Sequence, residues 1–332
     1  MKLKSAILVI GAAALFVLTS GCSTRTNVRR SLNETVRTAD NSPKVLADYQ
    51  PWFGDHQHID VGYSTQDPSV LRKQIQEAKD MGIYAFAVDW YGERQPFLDR
   101  SYALLQQVAS ESKFHVVLMY DETEEDNGRA TDDALAAMEK AYRSYIGPNA
   151  PGRDAYVVYE GRPVIFVFPK RGNTDWDRVR EAVNSWEQPP LLIYKDIPPT
   201  KYARDFDGFY AWVHPGSKGW TADGSDWGED YLQGFYKSVK SGYPDKLVVG
   251  TIWPGFDDSK ASWGLNRRID RRCGKTFEDT LHVFRQHNDP SRPMPFLLIA
   301  TWNDYEEGTQ IEDGVAHCEQ RQQNRAAAGG SR

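Results

Sequence analysis

The sequence lacks the features expected of nucleic-acid-binding, membrane-spanning or nucleotide-binding proteins. Its 332 residues include 40 basic and 46 acidic side chains, for a formal net charge of −6, so no extended basic surface for a nucleic acid is expected. The apolar stretch at residues 6–18 is too short to span a bilayer comfortably. No glycine-rich phosphate loop opens a predicted helix, and no internal repeat is evident. What remains is a globular composition rich in Trp and Tyr, which suits a partner with flat apolar faces, such as a sugar.

The first 21 residues have the pattern of an export signal. Lys2 and Lys4 precede the apolar stretch at residues 6–18, which has the length of a signal-peptide core. Residues 18–22 read Leu-Thr-Ser-Gly-Cys and resemble a bacterial lipobox, in which the cysteine becomes the acylated N-terminus. An ordinary signal peptide with a coincidental cysteine is the alternative. We expect residues 1–21 to be a lipoprotein signal peptide, and Cys22 to anchor the protein in the bacterial cell envelope, on its periplasmic or cell-surface side.

Both ends of the mature chain are polar. Residues 22–44 contain four arginines and no hydrophobic period, which predicts a flexible tether between the lipid and the domain, and residues 319–332 are predicted to be a disordered tail. Cysteine is scarce, since only Cys273 and Cys318 remain once Cys22 carries lipid. An exported protein meets an oxidising compartment, so we expect these two to form a disulfide, with two free thiols as the alternative.

From residue 45 onwards, short apolar runs alternate with amphipathic stretches. Strands are predicted at 45–52, 84–90, 114–120, 163–168, 191–194, 208–213, 247–253 and 296–302. Helices are predicted at 69–81, 97–112, 131–145, 175–186, 229–241 and 276–288, with a short helical candidate at 201–206. Eight strands with crossover helices predict an α/β fold, a single-domain (β/α)8 TIM barrel over residues 45–318; an open doubly wound sheet is the alternative. The eighth helix should be short or degenerate, because few apolar residues follow residue 313.

Aromatic residues recur beside carboxylates or histidines at the ends of six predicted strands. In a TIM barrel these ends form the active site. Carboxylates supply acid–base chemistry and aromatic faces stack on sugars, so we expect a deep, acidic, aromatic cleft that binds glycans, although core packing is the alternative for any single aromatic residue. The candidate substrate-binding residues are Tyr49, Trp52, His56, His58, Trp90, Asp121, Trp212, His214, Trp253, Asp257 and Trp302.

Two short patterns could also hold a metal ion. His56 and His58 form a His-x-His pair, but the spacing supplies no third ligand, so contact with sugar hydroxyls or ordinary loop packing is the alternative. The acidic run at residues 121–126 could hold Ca²⁺, or it could be a solvated loop with Asp121 facing the cleft. We expect neither a metal nor a cofactor.

The end of the eighth strand carries the most specific motif. Residues 302–312 read Trp-Asn-Asp-Tyr-Glu-Glu-Gly-Thr-Gln-Ile-Glu and resemble the Trp-Asn-Glu-Trp-His-Glu-Gly-Thr-Gln-Ile-Glu signature of glycoside hydrolase family 99, the endo-α-mannosidases. Residues 49–54 are similar to that family's Tyr-x-Pro-Trp-Tyr-Gly. Residues 302–305 also resemble family 71, the α-1,3-glucanases, and residues 254–258 are similar to segments of this broader group. The resemblance spans residues 45–313 and again implies a (β/α)8 barrel.

The resemblance implies two catalytic carboxylates. Glu307 matches the general acid/base, and Asp304 stands where family 99 has the Glu that assists attack by the substrate's own 2-hydroxyl through a 1,2-anhydro sugar. Asp is shorter by about 1.5 Å, so either the cleft is reshaped or water attacks, as in an inverting pair. Glu306 replaces the family's His, and we expect it to be solvated or to support a neighbouring side chain. The alternatives are that Asp304 only caps a turn and that Glu307 is only structural.

Residues three apart in an extended chain face opposite sides, so the chain must turn between Asp304 and Glu307 if both are to share one cleft, and Gly308 favours such a turn. Together these patterns predict a glycoside hydrolase, endo-acting on α-linked mannan or glucan. A non-catalytic glycan-binding lipoprotein and an enzyme of envelope polysaccharide processing are the alternatives. We expect a polysaccharide or oligosaccharide substrate, attachment to the membrane through the lipid, no nucleic acid, and a monomer.

Overall fold

The computed structural model describes residues 24–34, 42–123, 128–171 and 173–316. Eight parallel strands form its centre: β1 Lys44–Tyr49, β2 Ala85–Trp90, β3 His115–Asp121, β4 Arg162–Phe168, β5 Leu191–Lys195, β6 Gly208–Tyr210, β7 Leu247–Ile252 and β8 Phe296–Ile299. Each pairs with the next along the chain, and β1 also pairs with β8, so the sheet closes into a barrel. The predicted (β/α)8 barrel is confirmed, with every strand close to its expected position.

Helices connect the strands and cover the outside of the barrel. They are α1 Pro68–Met81, α2 Pro96–Glu111, α3 Ala130–Ala141, α4 Trp176–Asn184, α5 Glu229–Gly242 and α6 Lys275–His287. A π-helical turn, Tyr142–Ile146, extends α3, and a 3-10 helix, Thr200–Asp205, connects β5 to β6. Their ends follow local chemistry: Asp67 caps the first turn of α1, and Gly82 ends that helix in the left-handed conformation.

The interior of the barrel is apolar at the beginning of the strands and becomes polar at their C-terminal ends. In β2, Ala85, Phe86, Ala87 and Val88 are fully buried, and Asp89 follows them. Burial on both faces is what the continuous apolar runs indicate, since each strand lies between the barrel interior and a helix. Short strands, Phe256–Asp257 and Arg268–Ile269, form an antiparallel pair in the long loop after β7.

The N-terminal helix, defined here as residues 24–34, replaces the predicted flexible tether over those residues. Val28 and Leu32 are buried in the main core, so the expectation of an unpacked polar segment at 22–44 does not hold there. The prediction failed because two apolar side chains four residues apart are a weak signal among four arginines, although that spacing is helical.

The N-terminal helix occupies the place of an eighth barrel helix, between α1 and α6. Arg25 forms an ion pair with Glu77 of α1, at 2.7 Å, and Ser31 lies between Glu278 and Arg285 of α6. In a complete (β/α)8 barrel, the helix that follows β8 lies at this position, and the sequence predicts that helix to be short or degenerate. The barrel is therefore completed by a segment from the other end of the chain.

Several predictions fall on residues outside the described ranges: the signal peptide, Cys22, Cys318 and the tail at 319–332. Cys273 is disulfide-bonded, and its pairing with Cys318 stays a prediction. Within the described ranges, no helix is long and apolar enough to cross a membrane.

Candidate active site

A cleft of about 710 Å³ opens at the C-terminal ends of the strands. Of the predicted site residues, it is lined by Trp52, His58, Asp121, Trp212, Asp304 and Glu307. A smaller cavity, of about 260 Å³, lies at the other end of the barrel beside Lys240 and Met294, with Asp289 as its single carboxylate. Because several carboxylates and aromatic side chains converge only in the larger cleft of the described structure, we take that cleft as the candidate active site.

A tight turn after β8 brings Asp304 and Glu307 to the same cleft. Asp304 Oδ1 accepts hydrogen bonds from the backbone N–H of Glu306, at 3.0 Å, and of Glu307, at 2.8 Å. Gly308 closes the turn with φ of 62°, a conformation that glycine adopts without strain. Asp304 thus caps the turn, as one interpretation of the sequence predicts, and also lines the cleft, where the predicted catalytic role stays a prediction.

The environment of the two carboxyl groups favours their protonated forms. Burial and then the negative charge of Glu307 raise the pKa of Asp304 well above its usual value. Burial also raises the pKa of Glu307, although the Trp263 indole, Arg267 and Lys170 act in the opposite direction. A carboxyl group whose pKa is raised can still hold a proton near neutral pH, as a general acid must.

Glu306 supports an aromatic wall of the cleft rather than lining it. Its Oε2 lies 2.7 Å from Nδ1 of His58, and its Oε1 accepts from the Ile59 N–H at 3.3 Å. The His58 ring in turn stacks on Trp52, with ring centroids 4.6 Å apart and planes 4° from parallel. The supporting role expected for Glu306 is therefore a contact with His58, which fixes the orientation of the stacked pair.

Three further acids lie at the ends of β1, β2 and β3. Asp48 is fully buried, accepts a 2.7 Å hydrogen bond from the Gln50 side chain, and lies close to Asp89. Burial raises the pKa of both Asp48 and Asp89 well above the usual value, and nearby carboxylates raise each further. Asp121 instead pairs with Lys170, at 3.0 Å. Asp89 and Asp121 therefore line the cleft beside the buried Asp48, and burial and mutual repulsion favour the protonated forms of Asp48 and Asp89.

The predicted set did not include Trp263, which lies in the loop after β7 and covers part of the cleft. Its indole Nε1 donates to Glu307 Oε1 at 3.0 Å, and its edge meets Trp52 and His58. No sequence signal marks it, because it lies 44 residues before Glu307 in a loop without a regular pattern. The cleft-lining residues Asp89 and Lys170 were also absent from that set, although Asp89 ends a predicted strand.

Four of the predicted substrate-binding aromatic residues are core residues instead. Tyr49 donates to Gln74 of α1, Trp90 to Asp99 of α2, and Trp253 to the Trp227 carbonyl, while Trp302 packs against Phe86. All four are at most 1% exposed. Side chains alternate between the two faces of a strand. The residue that follows an inward-facing Asp48 or Asp89, namely Tyr49 or Trp90, therefore points outward into the helix layer. Proximity in sequence to a strand end does not by itself place a side chain in the cleft.

Three other predicted residues lie outside the cleft lining. His56 is exposed and pairs with Asp55, and His214 is an exposed residue whose ring Nδ1 lies 2.6 Å from the Pro215 carbonyl. Asp257 accepts from the Ser259 N–H, while its own N–H donates to the Glu307 carbonyl at 2.7 Å. Among the described residues, no group of three or more His, Cys, Asp or Glu is arranged to hold a metal.

Comparison with known proteins agrees with this geometry. No family model matches the chain. It is 25% identical over 305 residues to the glycoprotein endo-α-1,2-mannosidase-like proteins of Mus musculus and Homo sapiens, an alignment that covers 82% of this chain. The chain spans 63% and 62% of the length of those relatives. The resemblance to family 99 read from residues 302–312 is thereby confirmed as a similarity.

Solved structures show the same fold. The GH99 endo-α-mannosidase from Bacteroides thetaiotaomicron superimposes with a TM-score of 0.61 at 19% identity, covering 84% of this chain and 91% of that one. A glycoside hydrolase-like protein superimposes with a TM-score of 0.59 at 14% identity, covering 83% and 88%. Both agree with the closed barrel described above.

Proposed function

We propose that the protein is a glycoside hydrolase that cleaves internal α-mannosyl linkages of a glycan. The observation that carries the proposal is the turn after β8, which points Asp304 and Glu307 into one aromatic-walled cleft. The names of the two mammalian relatives support an internal α-mannosyl linkage as the substrate, and a cleft of about 710 Å³ has room for more than one sugar. An α-glucan is the second candidate substrate, because residues 302–305 also resemble family 71.

In the proposed mechanism, Glu307 protonates the departing glycosidic oxygen. Burial raises the pKa of Glu307, which favours the protonated form that a general acid needs. Trp263 donates to Glu307 Oε1, which leaves Oε2 as the atom that can carry the proton to the glycosidic oxygen. After the bond breaks, the same indole N–H stabilises the carboxylate that forms, since it already lies at hydrogen-bond distance.

Asp304, in its ionised form, assists attack at the anomeric carbon; the two backbone N–H groups that donate to it favour that form, in opposition to burial. Its Oδ1 is held by two backbone N–H groups, which fixes the carboxyl group and leaves Oδ2 as the atom for a substrate hydroxyl or a water. In the first case the 2-hydroxyl of the substrate attacks and a 1,2-anhydro sugar forms; in the second, water attacks and the configuration inverts. Trp212 and the stacked Trp52–His58 pair would hold neighbouring sugars.

The test is to follow hydrolysis of purified α-mannan and α-glucan oligosaccharides. Release of new reducing ends from the interior of α-mannan, lost in Glu307→Gln, is the expected result. NMR of the first-formed anomer then separates the two modes of attack. No release from any oligosaccharide in either panel, at enzyme concentrations that saturate binding, would contradict the proposed activity.

A non-catalytic glycan-binding protein is the second candidate function. It is favoured by two observations, namely the Trp263 indole bound to Glu307 and the shorter Asp at position 304. This candidate predicts calorimetric binding of oligosaccharides without release of reducing ends. Glu307→Gln should retain affinity under both candidates, so release of reducing ends by the wild type, and its loss in this variant, is the result that decides between them.

We also propose that Cys22 carries lipid in the cell envelope and that Cys273 pairs with Cys318. The lipobox-like residues 18–22 support the first, and the disulfide state of Cys273 supports the second. Cys22→Ala should release the protein from membranes. Peptide mapping without reduction should yield one cross-linked species that contains residues 273 and 318; a Cys273 linked to another thiol would contradict the pairing.

A further inference from the structure

The N-terminal helix enters the fold at the catalytic end of the barrel. Thr24 donates from its hydroxyl to the Asp313 carbonyl at 2.5 Å and accepts from the Val315 N–H at 3.4 Å, in the segment that follows β8. Ten residues later the helix ends near Gly82, where α1 ends at the opposite side of the barrel. The helix therefore runs in the same direction as α1, from the cleft side downwards.

This placement leaves almost no chain between the proposed lipid and the barrel. Cys22 is two residues from Thr24, so an acylated Cys22 lies within about 7 Å of it. A flexible tether over residues 22–44 would have let the domain rotate freely above a membrane. A two-residue connection holds the cleft side of the barrel close to the lipid surface instead.

A second observation points to the same surface. Among the described residues, three large apolar side chains are exposed: Trp220 at 36%, Trp263 at 42% and Leu265 at 74%. All three lie in the loops after β6 and β7, on the cleft side. We call this set the rim patch. Exposed Trp and Leu side chains on one face are typical of surfaces that enter the interfacial region of a bilayer.

The rim patch is held in place rather than exposed by disorder. Asp258 is fully buried and accepts from the N–H of Leu265, at 3.1 Å, and of Arg267, at 2.6 Å. The Arg267 guanidinium in turn lies over the Trp220 ring, 5.2 Å from its centroid. One carboxylate thus fixes the loop that presents Leu265 and links it to Trp220.

We infer that the bilayer is the partner of the catalytic end: the lipid on Cys22 and the rim patch together hold the cleft mouth against the membrane. The substrate class follows, namely glycans attached to or adsorbed at the membrane surface rather than free polysaccharide in solution. This inference rests on the proposed anchor and glycosidase activity. The lipid and the patch supply two membrane contacts, and one attachment alone gives weaker membrane binding.

The test uses the full lipoprotein, purified from membranes and reconstituted into phosphatidylethanolamine–phosphatidylglycerol vesicles with brominated acyl chains. Bromine quenches only tryptophans at the bilayer. We expect partial quenching in the wild type, and loss of most of it in the double variant Trp220→Phe, Trp263→Phe. Trp186→Phe, at the opposite end of the barrel, is the matched control and should retain the quenching seen in the wild type. A 20-residue Gly/Ser insertion between Ser23 and Thr24 should also reduce quenching.

Quenching that is absent in the wild type, or unchanged in the double variant, would overturn the inference, as would mass spectra in which Cys22 carries no lipid. The proposed activity is measured separately, with Cys22→Ser protein and free oligosaccharides. That protein should hydrolyse them whether or not the catalytic end contacts a bilayer. Failure of the membrane contact and failure of the glycosidase proposal are therefore distinguishable.

Discussion

The two ends of the barrel are built from the same strands and carry opposite kinds of side chain. Near their beginnings, β1, β2 and β8 carry Leu46, Phe86 and Leu298, all fully buried. At the other end the same strands lead to Asp48, Asp89 and Asp304, whose pKa values burial raises. Burial of apolar side chains stabilises the fold, and burial of acids opposes it. Stability and chemistry are thus separated along each strand, so substitutions at the two ends should have separable effects.

The largest effect on stability is expected at the apolar end. Leu297→Ala removes a fully buried side chain of β8 and leaves a cavity, which should lower the free energy of unfolding by about 3–5 kcal/mol. Denaturant unfolding measures this. Turnover per folded molecule should stay within about twofold of the wild type, because the cleft is untouched. A large loss of turnover with little loss of stability would show that the two ends are not separable.

Asp304→Asn, at the polar end, is expected to lower activity without lowering stability. Loss of the carboxylate that assists attack should lower kcat by about 100-fold or more. Stability should be equal to or above that of the wild type, because a neutral amide replaces a buried acid. Asp304→Glu sharpens the result: it should retain activity if the substrate's 2-hydroxyl attacks, and lose activity if a water occupies the space that the longer side chain fills.

The N-terminal helix should contribute to stability although it lies outside the barrel sheet. Val28→Ala removes a buried contact of this helix and should cost about 2 kcal/mol. Arg29→Ala, at an exposed position of the same helix, is the matched control and should change stability by less than about 0.5 kcal/mol. If both substitutions changed the free energy of unfolding equally and negligibly, the result would favour the flexible tether that the sequence predicts.

The smallest expected effect is a pH dependence from the buried acid Asp48. Its pKa is raised in the folded state, so its contribution to stability is present below the unfolded pKa and is lost as pH rises through the folded pKa. Asp48→Asn should raise Tm by about 2 °C at pH 8 and leave it unchanged at pH 4. Thermal unfolding over this range measures it, and an equal shift at both pH values would contradict the raised pKa.

The sequence was sufficient for the barrel and for the turn after β8. Apolar runs identify the strands because every barrel strand is buried on both faces, and the positions of Asp304, Glu307 and Gly308 require a turn. It was not sufficient for the aromatic residues that line the cleft. Trp90 and Asp89 are neighbours in sequence, yet only Asp89 faces the cleft, since the alternation of a strand separates them.

Contacts between residues that are far apart in the sequence could not be predicted from it either. Trp263 reaches Glu307 through a loop whose path depends on the buried Asp258, and no local pattern encodes that path. The N-terminal helix packs against residues more than 240 positions away, such as Glu278 and Asp313. Contacts of this kind arise from the closed fold and not from the local periodicity of either segment.

The most direct test of the central claim, that Glu307 is the proton donor of a glycosidase, is the leaving-group dependence of Glu307→Gln. Two aryl glycosides of the preferred glycan would be compared, one with a poor and one with a good leaving group. The account predicts a loss of about 1,000-fold or more on the poor leaving group and of about tenfold or less on the good one, which needs little protonation. Near-wild-type turnover of the poor leaving group by Glu307→Gln would contradict it.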